Sequence, residues 1–195
     1  MNTLEYFAKL EAADMLRADS NEGISHLLRG EGAILQIMTE EKFVPVGEIR
    51  GPIRYHPDAL KKVNIFCMYA LRESPLATLV DPANLRFGDT FALLTDFDEF
   101  LERVRTAAAK IDGQELKQGL VEYIDYGSYL GPVGVFKKPL AFSYQSEFRL
   151  ALFPGTGAPI QFQVGDLSDI VILGPLSELN GRLRIFGASP PGTQI

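Results

Sequence analysis

A short segment late in the chain carries polar side chains at a spacing that could support chemistry. Within FKKPLAFSYQSEFRLAL, the residues Gln145, Glu147 and Arg149 are two positions apart. Side chains two apart share one face of a β-strand, so an amide, a carboxylate and a guanidinium would lie in a row. Lys137 and Lys138 enter the same predicted strand. We expect any polar site of this protein to be centred near Glu147.

The Q-x-E step in this segment points to one class of reaction. A carboxylate can stabilise a positive charge that develops in a transition state, while a neighbouring amide orients the nucleophile. The step resembles the Q/E-x-E step of ADP-ribosyltransferases, which use NAD as a substrate. The resemblance implies that Glu147 is the catalytic carboxylate and that Gln145 assists it. It also implies that an upstream arginine, Arg50 or Arg54, binds another part of NAD.

Two further residues are candidates for contacts with NAD under this resemblance. Tyr69 would supply a stacking aromatic ring, as in the subgroup that uses His and Tyr, and Arg149 adds a positive charge beside the carboxylate. The Ser-Thr-Ser step of the family has no counterpart, because the matching strand reads FCMY at 66–69. That departure keeps an alternative open, a non-catalytic protein-interaction role such as that of an immunity, adaptor or phage-related protein.

A longer part of the chain resembles a bacterial family known only as a domain of unknown function. Between about residues 63 and 179, the segments VNIFCMYAL, FGDTFALLTDFDEFL, VEYIDY, KPLAFSYQSEFR and DIVILG follow the order of that family. Its K-x(n)-Y/W-x-x-E-x-R pattern is matched by Lys138, Tyr144, Glu147 and Arg149. Because some members occur in phage-defence or toxin-like settings, the resemblance implies a role of that type, which is compatible with a transferase.

Other interpretations of the same residues remain open. Glu147 and Arg149 could form a structural ion pair on a sheet face. A nuclease or phosphodiesterase that uses Glu147 and Lys138 is a third alternative, although it lacks a second acidic cluster for metal. The chain has two histidines and one cysteine, too few for the usual zinc sites, so no metal is predicted. No GxxxxGK[ST] or GxGxxG loop is present either.

The composition indicates a folded protein of one domain. The chain has 195 residues, of which 46% are hydrophobic and 23% charged, so it can build a full core. We predict a single domain over residues 1–188 and a flexible tail over 189–195. The net charge of −6 makes nonspecific binding of duplex DNA an unfavoured function, because that needs a surplus of cations.

The single cysteine and the first residues suggest a cellular compartment. Cys67 cannot form an intramolecular disulfide, and its apolar surroundings in sequence predict a buried thiol that acts as a small hydrophobic residue. The segment MNTLEYFAKLEAAD lacks the basic and apolar regions of a signal peptide. We therefore expect a cytoplasmic protein without a membrane span, whose oligomeric state the sequence leaves open.

The hydrophobic periodicity predicts an α+β fold with a mixed or largely antiparallel sheet and two to three helices. Helices are expected over 4–18, where Thr3 is the N-cap, over 24–29, and from Asp96 to Ile111 behind a capping box with Glu99. Strands are expected over 33–38, 43–49, 63–71, 90–94, 120–126, 135–153, 160–164, 170–173 and 183–186. Pro45 places the second of these at a sheet edge, where a second chain could pair.

Overall fold

The computed structural model describes residues 1–11, 21–71 and 79–183. Within these residues the fold is α+β with largely antiparallel sheets, as predicted. The described helices are α1 (Leu4–Glu11), α2 (Asp58–Lys61), α3 (Phe97–Ala108) and α4 (Leu179–Arg182). The described strands are β1 (Asn2–Thr3), β2 (His26–Leu28), β3 (Ile34–Met38), β4 (Phe43–Glu48), β5 (Ile53–Tyr55), β6 (Asn64–Tyr69), β7 (Thr90–Leu94), β8 (Glu115–Leu120), β9 (Glu122–Ile124), β10 (Gly131–Pro132), β11 (Lys137–Pro139), β12 (Glu147–Phe153) and β13 (Val171–Pro175).

The central sheet has four antiparallel strands in the order β1-β6-β12-β8. Its register places Glu147 opposite Tyr69 and Arg149 opposite Cys67. Because alternate residues share a face, these four side chains lie on one side of the sheet. The predicted strand over 63–71 is confirmed as β6, although Phe66 on its other side is 44% exposed, so β6 is not buried on both faces.

The helix α3 covers the face of the central sheet opposite to Glu147 and Arg149. It begins as predicted, because Asp96 Oδ1 accepts a hydrogen bond from the Glu99 N–H at 2.9 Å. Phe97 lies edge-on to Phe148 of β12, with ring centroids 4.9 Å apart. The buried residues of this layer come from α3, β12 and the position before β13; they are Phe100, Leu101, Val104, Leu150 and Ile170.

The face that carries Glu147 and Arg149 is covered at its other end by α1. Thr3 caps this helix as predicted, since its Oγ1 accepts a hydrogen bond from the Tyr6 N–H at 3.1 Å. Phe7 packs against an apolar core on this side, formed by Leu4, Val63, Ile65, Val135 and Ala151. The predicted continuation of the helix to residue 18 lies outside the described residues, as does the predicted tail over 189–195.

Smaller sheets surround the central one. β10, β2 and β5 form one sheet, β7 pairs with β13, and β11 pairs with β9 in parallel. β3 and β4 form a hairpin that pairs with no other described strand. The strands predicted over 33–38, 43–49, 90–94 and 170–173 are thereby confirmed, with ends shifted by up to two residues.

The prediction of one long strand over 135–153 is wrong. Two short 3-10 turns, Gly134–Phe136 and Leu140–Gln145, interrupt it, and only β11 and β12 are extended. Ser146 then adopts a left-handed backbone with φ 41°. The physical reason is that the residues before Glu147 have no strand to pair with. Both neighbours of β12, β6 and β8, end their pairing at the first residues of β12.

Three other predicted elements also differ. The helix over 24–29 is instead the strand β2, which is paired on both sides by β5 and β10. The strand over 120–126 is divided between the end of β8 and β9. The described residues 160–164 form no strand, and of 183–186 only Leu183 is described, outside any strand. Tertiary pairing, which the local pattern does not encode, decides each of these segments.

Candidate functional site

Four charged side chains meet inside the protein beside the central sheet, and we call them the charge cluster: Glu22, Lys138, Glu147 and Arg149. No more than 10% of any of these side chains is exposed. β12 supplies Glu147 and Arg149, which share a face as predicted, β11 supplies Lys138, and Glu22 precedes β2. Two anions and two cations make the cluster formally neutral, which is how buried charges are tolerated in proteins.

Arg149 lies at the centre of the charge cluster and makes four hydrogen bonds. Its Nε donates to Glu147 Oε2 at 2.7 Å, and Nη1 and Nη2 donate to the two carboxylate oxygens of Glu22 at 2.7 and 3.1 Å. Nη1 also donates to the Val135 carbonyl oxygen at 2.6 Å. Because the side chain is only 1% exposed, Arg149 fixes the two carboxylates rather than presenting a charge to solvent.

Lys138 connects the two residues of the Q-x-E step. Its Nζ donates to Glu147 Oε1 at 2.7 Å and to Gln145 Oε1 at 2.8 Å. Glu22 Oε2 lies 3.6 Å from the same nitrogen. The Phe142 ring, with its centroid 5.4 Å from Nζ, covers the ammonium group on a further side. One ammonium group therefore brings the carboxylate and the amide together.

Gln145 reaches the site by a route that the sequence did not predict. It ends a 3-10 turn instead of sharing a strand face with Glu147. The left-handed Ser146 then redirects the chain into β12, and its hydroxyl donates to the Ala70 carbonyl oxygen at 2.7 Å. The prediction of one shared face is thus right for Glu147 and Arg149 and wrong for Gln145, although all three converge on the cluster.

Burial and neighbouring charges shift the pKa values of the site residues in opposite directions. Burial alone would raise the pKa of Glu147, but Arg149 and Lys138 outweigh it and lower the pKa to about 2. Burial alone would likewise lower the pKa of Lys138, and the carboxylates of Glu22 and Glu147 raise it instead. Glu147 is therefore an ionised acceptor at neutral pH rather than a proton donor.

Two neighbouring groups are held in their neutral forms. Burial raises the pKa of Cys67 to about 12, so the thiol is unreactive at neutral pH, in keeping with the predicted structural role. Burial also raises the pKa of the Tyr123 hydroxyl to about 12. The Tyr123 oxygen accepts a hydrogen bond from the Glu147 backbone N–H at 2.9 Å and so fixes the start of β12.

A cleft of about 990 Å³ adjoins the charge cluster. Most of the described residues that line it are apolar, and they come from β6, β7, β12 and the segments around them. The polar part of its wall contains all four members of the charge cluster together with Gln145, Asn84 and Tyr69. A mostly apolar cleft with a few converging polar groups is the usual form of a small-molecule site.

The predicted site residues do not all meet. Glu147, Gln145, Arg149 and Tyr69 line the cleft. Arg50, which follows β4, and Arg54, which lies on β5, are both exposed. Within the described part of the chain, neither has a hydrogen bond or ion pair to the charge cluster. The upstream arginine implied by the ADP-ribosyltransferase resemblance is therefore not at this cleft.

Glu22 is the site residue that sequence reasoning missed. It stands in a Ser-Asn-Glu-Gly segment that reads as a helix breaker, and its partner Arg149 is 127 positions away in the chain. No local pattern marks such a contact, because it depends on how the segment before β2 packs against β12. The only signal available was the general rule that a buried arginine needs a carboxylate.

Comparison of the chain with known proteins finds no match among protein-family models, curated proteins or solved structures. The two resemblances noted from the sequence thus stay predictions. Among residues 1–11, 21–71 and 79–183, no group of three or more His, Cys, Asp or Glu side chains is arranged to hold a metal ion. In the same residues no helix has the length and apolar character to cross a membrane.

Proposed function

We propose that the protein binds a small organic molecule in the cleft beside Glu147. The ligand would have an apolar or aromatic body and a polar end that donates hydrogen bonds to Glu147 and Gln145. One observation carries the proposal: a fixed, ionised carboxylate and an amide stand in the wall of a cleft of about 990 Å³ that is otherwise mostly apolar.

The charge cluster supports binding better than a purely structural role does. Removing four charges from water costs free energy that their mutual attraction only partly returns, and apolar residues of similar volume often serve stability as well or better. Perturbed ionisable groups that face a cleft are for this reason candidates for function. Here all four members of the charge cluster line the cleft, and Glu147 accepts hydrogen bonds from both cations.

The free acceptor capacity of the site defines the polar end of the ligand. Each Glu147 oxygen accepts one hydrogen bond, from Lys138 or from Arg149, and a carboxylate oxygen can accept a second. Gln145 Oε1 accepts one from Lys138 and has the same spare capacity. Hydroxyl or amino groups of a ligand match these acceptors.

A second candidate function, glycosyl transfer from NAD, is favoured by one specific feature. Glu147 is ionised and shares the Lys138 ammonium group with Gln145, so a carboxylate and an amide are fixed side by side. An ionised carboxylate is what an oxocarbenium-like transition state requires. Tyr69, which lines the same cleft, would stack on the nicotinamide ring. In this version of the proposal, Arg50 and Arg54 take no part.

Two experiments test the two candidate functions together. One is calorimetric titration with NAD, and the other is ligand-observed NMR with a library of small aromatic alcohols and amines. The key variant is Lys138→Met/Glu147→Gln, which removes one cation and one anion and leaves Arg149 paired with Glu22. A second variant, Phe87→Ser, changes the apolar wall at a residue that is 41% exposed. Its matched control is Leu173→Ser, which is 67% exposed and not part of the cleft lining.

Binding that both cleft variants weaken and Leu173→Ser preserves would support the proposal. If NAD is the ligand, release of nicotinamide that stops in the double variant would favour glycosyl transfer. Binding of other ligands but not of NAD at millimolar concentration would remove the transferase candidate. If the cleft variants weaken the binding of no compound in the library, the proposal is overturned. The charge cluster would then be a structural feature.

A further inference from the structure

The hairpin of β3 and β4, which we call the arm, exposes apolar side chains that no described residue covers. Six of them are more than half exposed: Ile34, Leu35, Ile37, Met38, Phe43 and Val46. They occur on both faces of the two-stranded ribbon, because neighbouring residues of a strand point to opposite sides. A folded protein rarely exposes so many large apolar side chains close together unless they form an interaction surface.

The arm is a fixed structure at both of its ends. At the tip, the Thr39 N–H and hydroxyl both donate to the Lys42 carbonyl oxygen, at 2.9 and 2.8 Å. At the base, Gly30 is packed so closely that a Cβ atom there would lie 2.1 Å from the Gly51 carbonyl oxygen. The Ala33 N–H also donates to the Gly30 carbonyl oxygen at 2.9 Å. The apolar side chains are therefore presented in a defined geometry.

The exposed area of β3 fits a weak, concentration-dependent interface. At roughly 100 Å² for each half-exposed side chain of this size, its four apolar residues expose on the order of 400 Å², so pairing two copies of β3 would bury at most on the order of 800 Å², the size of a transient contact. A two-stranded ribbon is also only marginally stable alone, which gives the arm a reason to acquire a third strand.

The sequence of β3 fits a second copy of itself as the partner. β3 reads Ile-Leu-Gln-Ile-Met and carries no charge. If two copies of β3 pair in antiparallel orientation about Gln36, then Ile34 faces Met38, Leu35 faces Ile37, and Gln36 faces itself. Every apolar side chain then meets an apolar one, and the only amide meets its own copy. A two-fold symmetric interface requires this self-complementarity.

The edge of β3 is the one that can accept a strand. β3 pairs with β4 on one side, and among the described strands none occupies its other side. β4 contains Pro45, which lacks the N–H that a ladder needs, and a register irregularity lies beside it. We propose that the protein forms a symmetric dimer in which β3 of one copy pairs with β3 of a second copy, so that the two arms make a four-stranded sheet.

Sedimentation velocity over a concentration series, up to about 1 mM, tests whether the dimer forms. We expect a concentration-dependent dimer for the unaltered chain. Ile37→Lys should raise the dissociation constant by about tenfold or more, because the two-fold axis introduces the charge twice. The matched control, Leu173→Lys, makes the same type of change at a side chain that is 67% exposed outside the arm and should leave the dissociation constant unchanged.

Disulfide trapping tests the register. Gln36→Cys places a cysteine at the proposed two-fold axis, where the Cα atoms of opposed residues are close enough for a disulfide. Cys67 lies half-buried opposite Arg149 in the central sheet, away from the arm, and the raised pKa of its thiol, about 12, keeps it from competing. We expect mild oxidation to cross-link Gln36→Cys and not Lys42→Cys, at the arm tip. A monomer at every concentration, a dimer that Ile37→Lys does not weaken, or equal cross-linking of both variants would overturn the proposal.

Discussion

The charge cluster and the arm reverse the usual distribution of side chains in a soluble protein. The cluster holds four charged groups in the interior, whereas the arm holds six large apolar groups in solvent. Each charge of the cluster has a partner of opposite sign within 2.7 Å. The apolar groups of the arm have no comparable partner among the described residues. Both are departures from the burial rule, but only the first is compensated within one chain.

This difference predicts that substitutions in the two regions will have different effects, on folding in the charge cluster and on association in the arm. Breaking the cluster should disturb folding, because every removed partner leaves a buried charge uncompensated. Changing the exposed apolar side chains of the arm should leave folding nearly unaffected and alter only association. The four predictions below follow from that contrast and run from the largest expected change in stability to the smallest.

The largest effect is expected from Arg149→Met. This substitution keeps an unbranched side chain but leaves the buried carboxylates of Glu22 and Glu147 with Lys138 as the one remaining cation of the cluster. Loss of one member of a buried ion network costs about 3–5 kcal/mol. Urea denaturation followed by circular dichroism measures the change in the free energy of unfolding.

Arg103→Met is the matched control for that measurement. Arg103 also binds two carboxylates, Glu99 and Asp169, at 2.7 and 2.6 Å, but on the surface, where solvent screens its charge. Its loss should therefore cost much less than the loss of Arg149. Equal destabilisation by the two substitutions would mean that burial of the cluster adds nothing, and the contrast between interior and surface would fail.

The cluster should also make folding depend on acid pH. The pKa of Glu147 is lowered from 4.5 to about 2 in the folded protein, so the unfolded chain takes up its proton first as the pH falls. The stabilisation is complete above about pH 5 and is lost between there and about pH 2. Urea midpoints at pH 7, 5, 4 and 3, compared between the unaltered chain and Lys138→Met/Glu147→Gln, isolate this contribution.

The double variant is expected to show a shallower decline, because it lacks the carboxylate whose pKa is lowered. A decline of the same steepness in both proteins would assign the acid sensitivity to groups other than Glu147. The arm contains no ion pair of this kind among its described residues, so substitutions there should not change the pH profile.

The two regions were also unequally predictable from sequence. The strands of the arm were predicted within one residue, because a hairpin depends on local alternation and a turn. The pair Glu147–Arg149 was predicted for a similar reason, since two residues of one strand suffice. Glu22 and the route of Gln145 were not, because the first depends on a contact across 127 positions and the second on a 3-10 turn that begins after Pro139.

An intermediate effect is expected at the base of the arm from Gly30→Ala. The new Cβ atom would meet the Gly51 carbonyl oxygen at 2.1 Å, so the backbone must shift, at a typical cost of about 1–3 kcal/mol. Gly47→Ala, in the arm, is the control, since nothing lies within 4 Å of its Cβ position. Thermal unfolding should separate the two variants. If Gly30→Ala is as stable as the control, the arm is not held at its base as described.

The smallest effect is expected from Ile37→Ala, measured at a concentration at which sedimentation shows only the monomer. Ile37 is 59% exposed, so its truncation should change the free energy of unfolding by less than about 0.5 kcal/mol. Ile65→Ala, in the core at 1% exposure, should cost about 2–5 kcal/mol. Repeating the comparison at high concentration sharpens it, since dimer formation would add to the cost at Ile37 but not at Ile65. A cost at Ile37 that is large at every concentration would show that the arm is packed within its own chain.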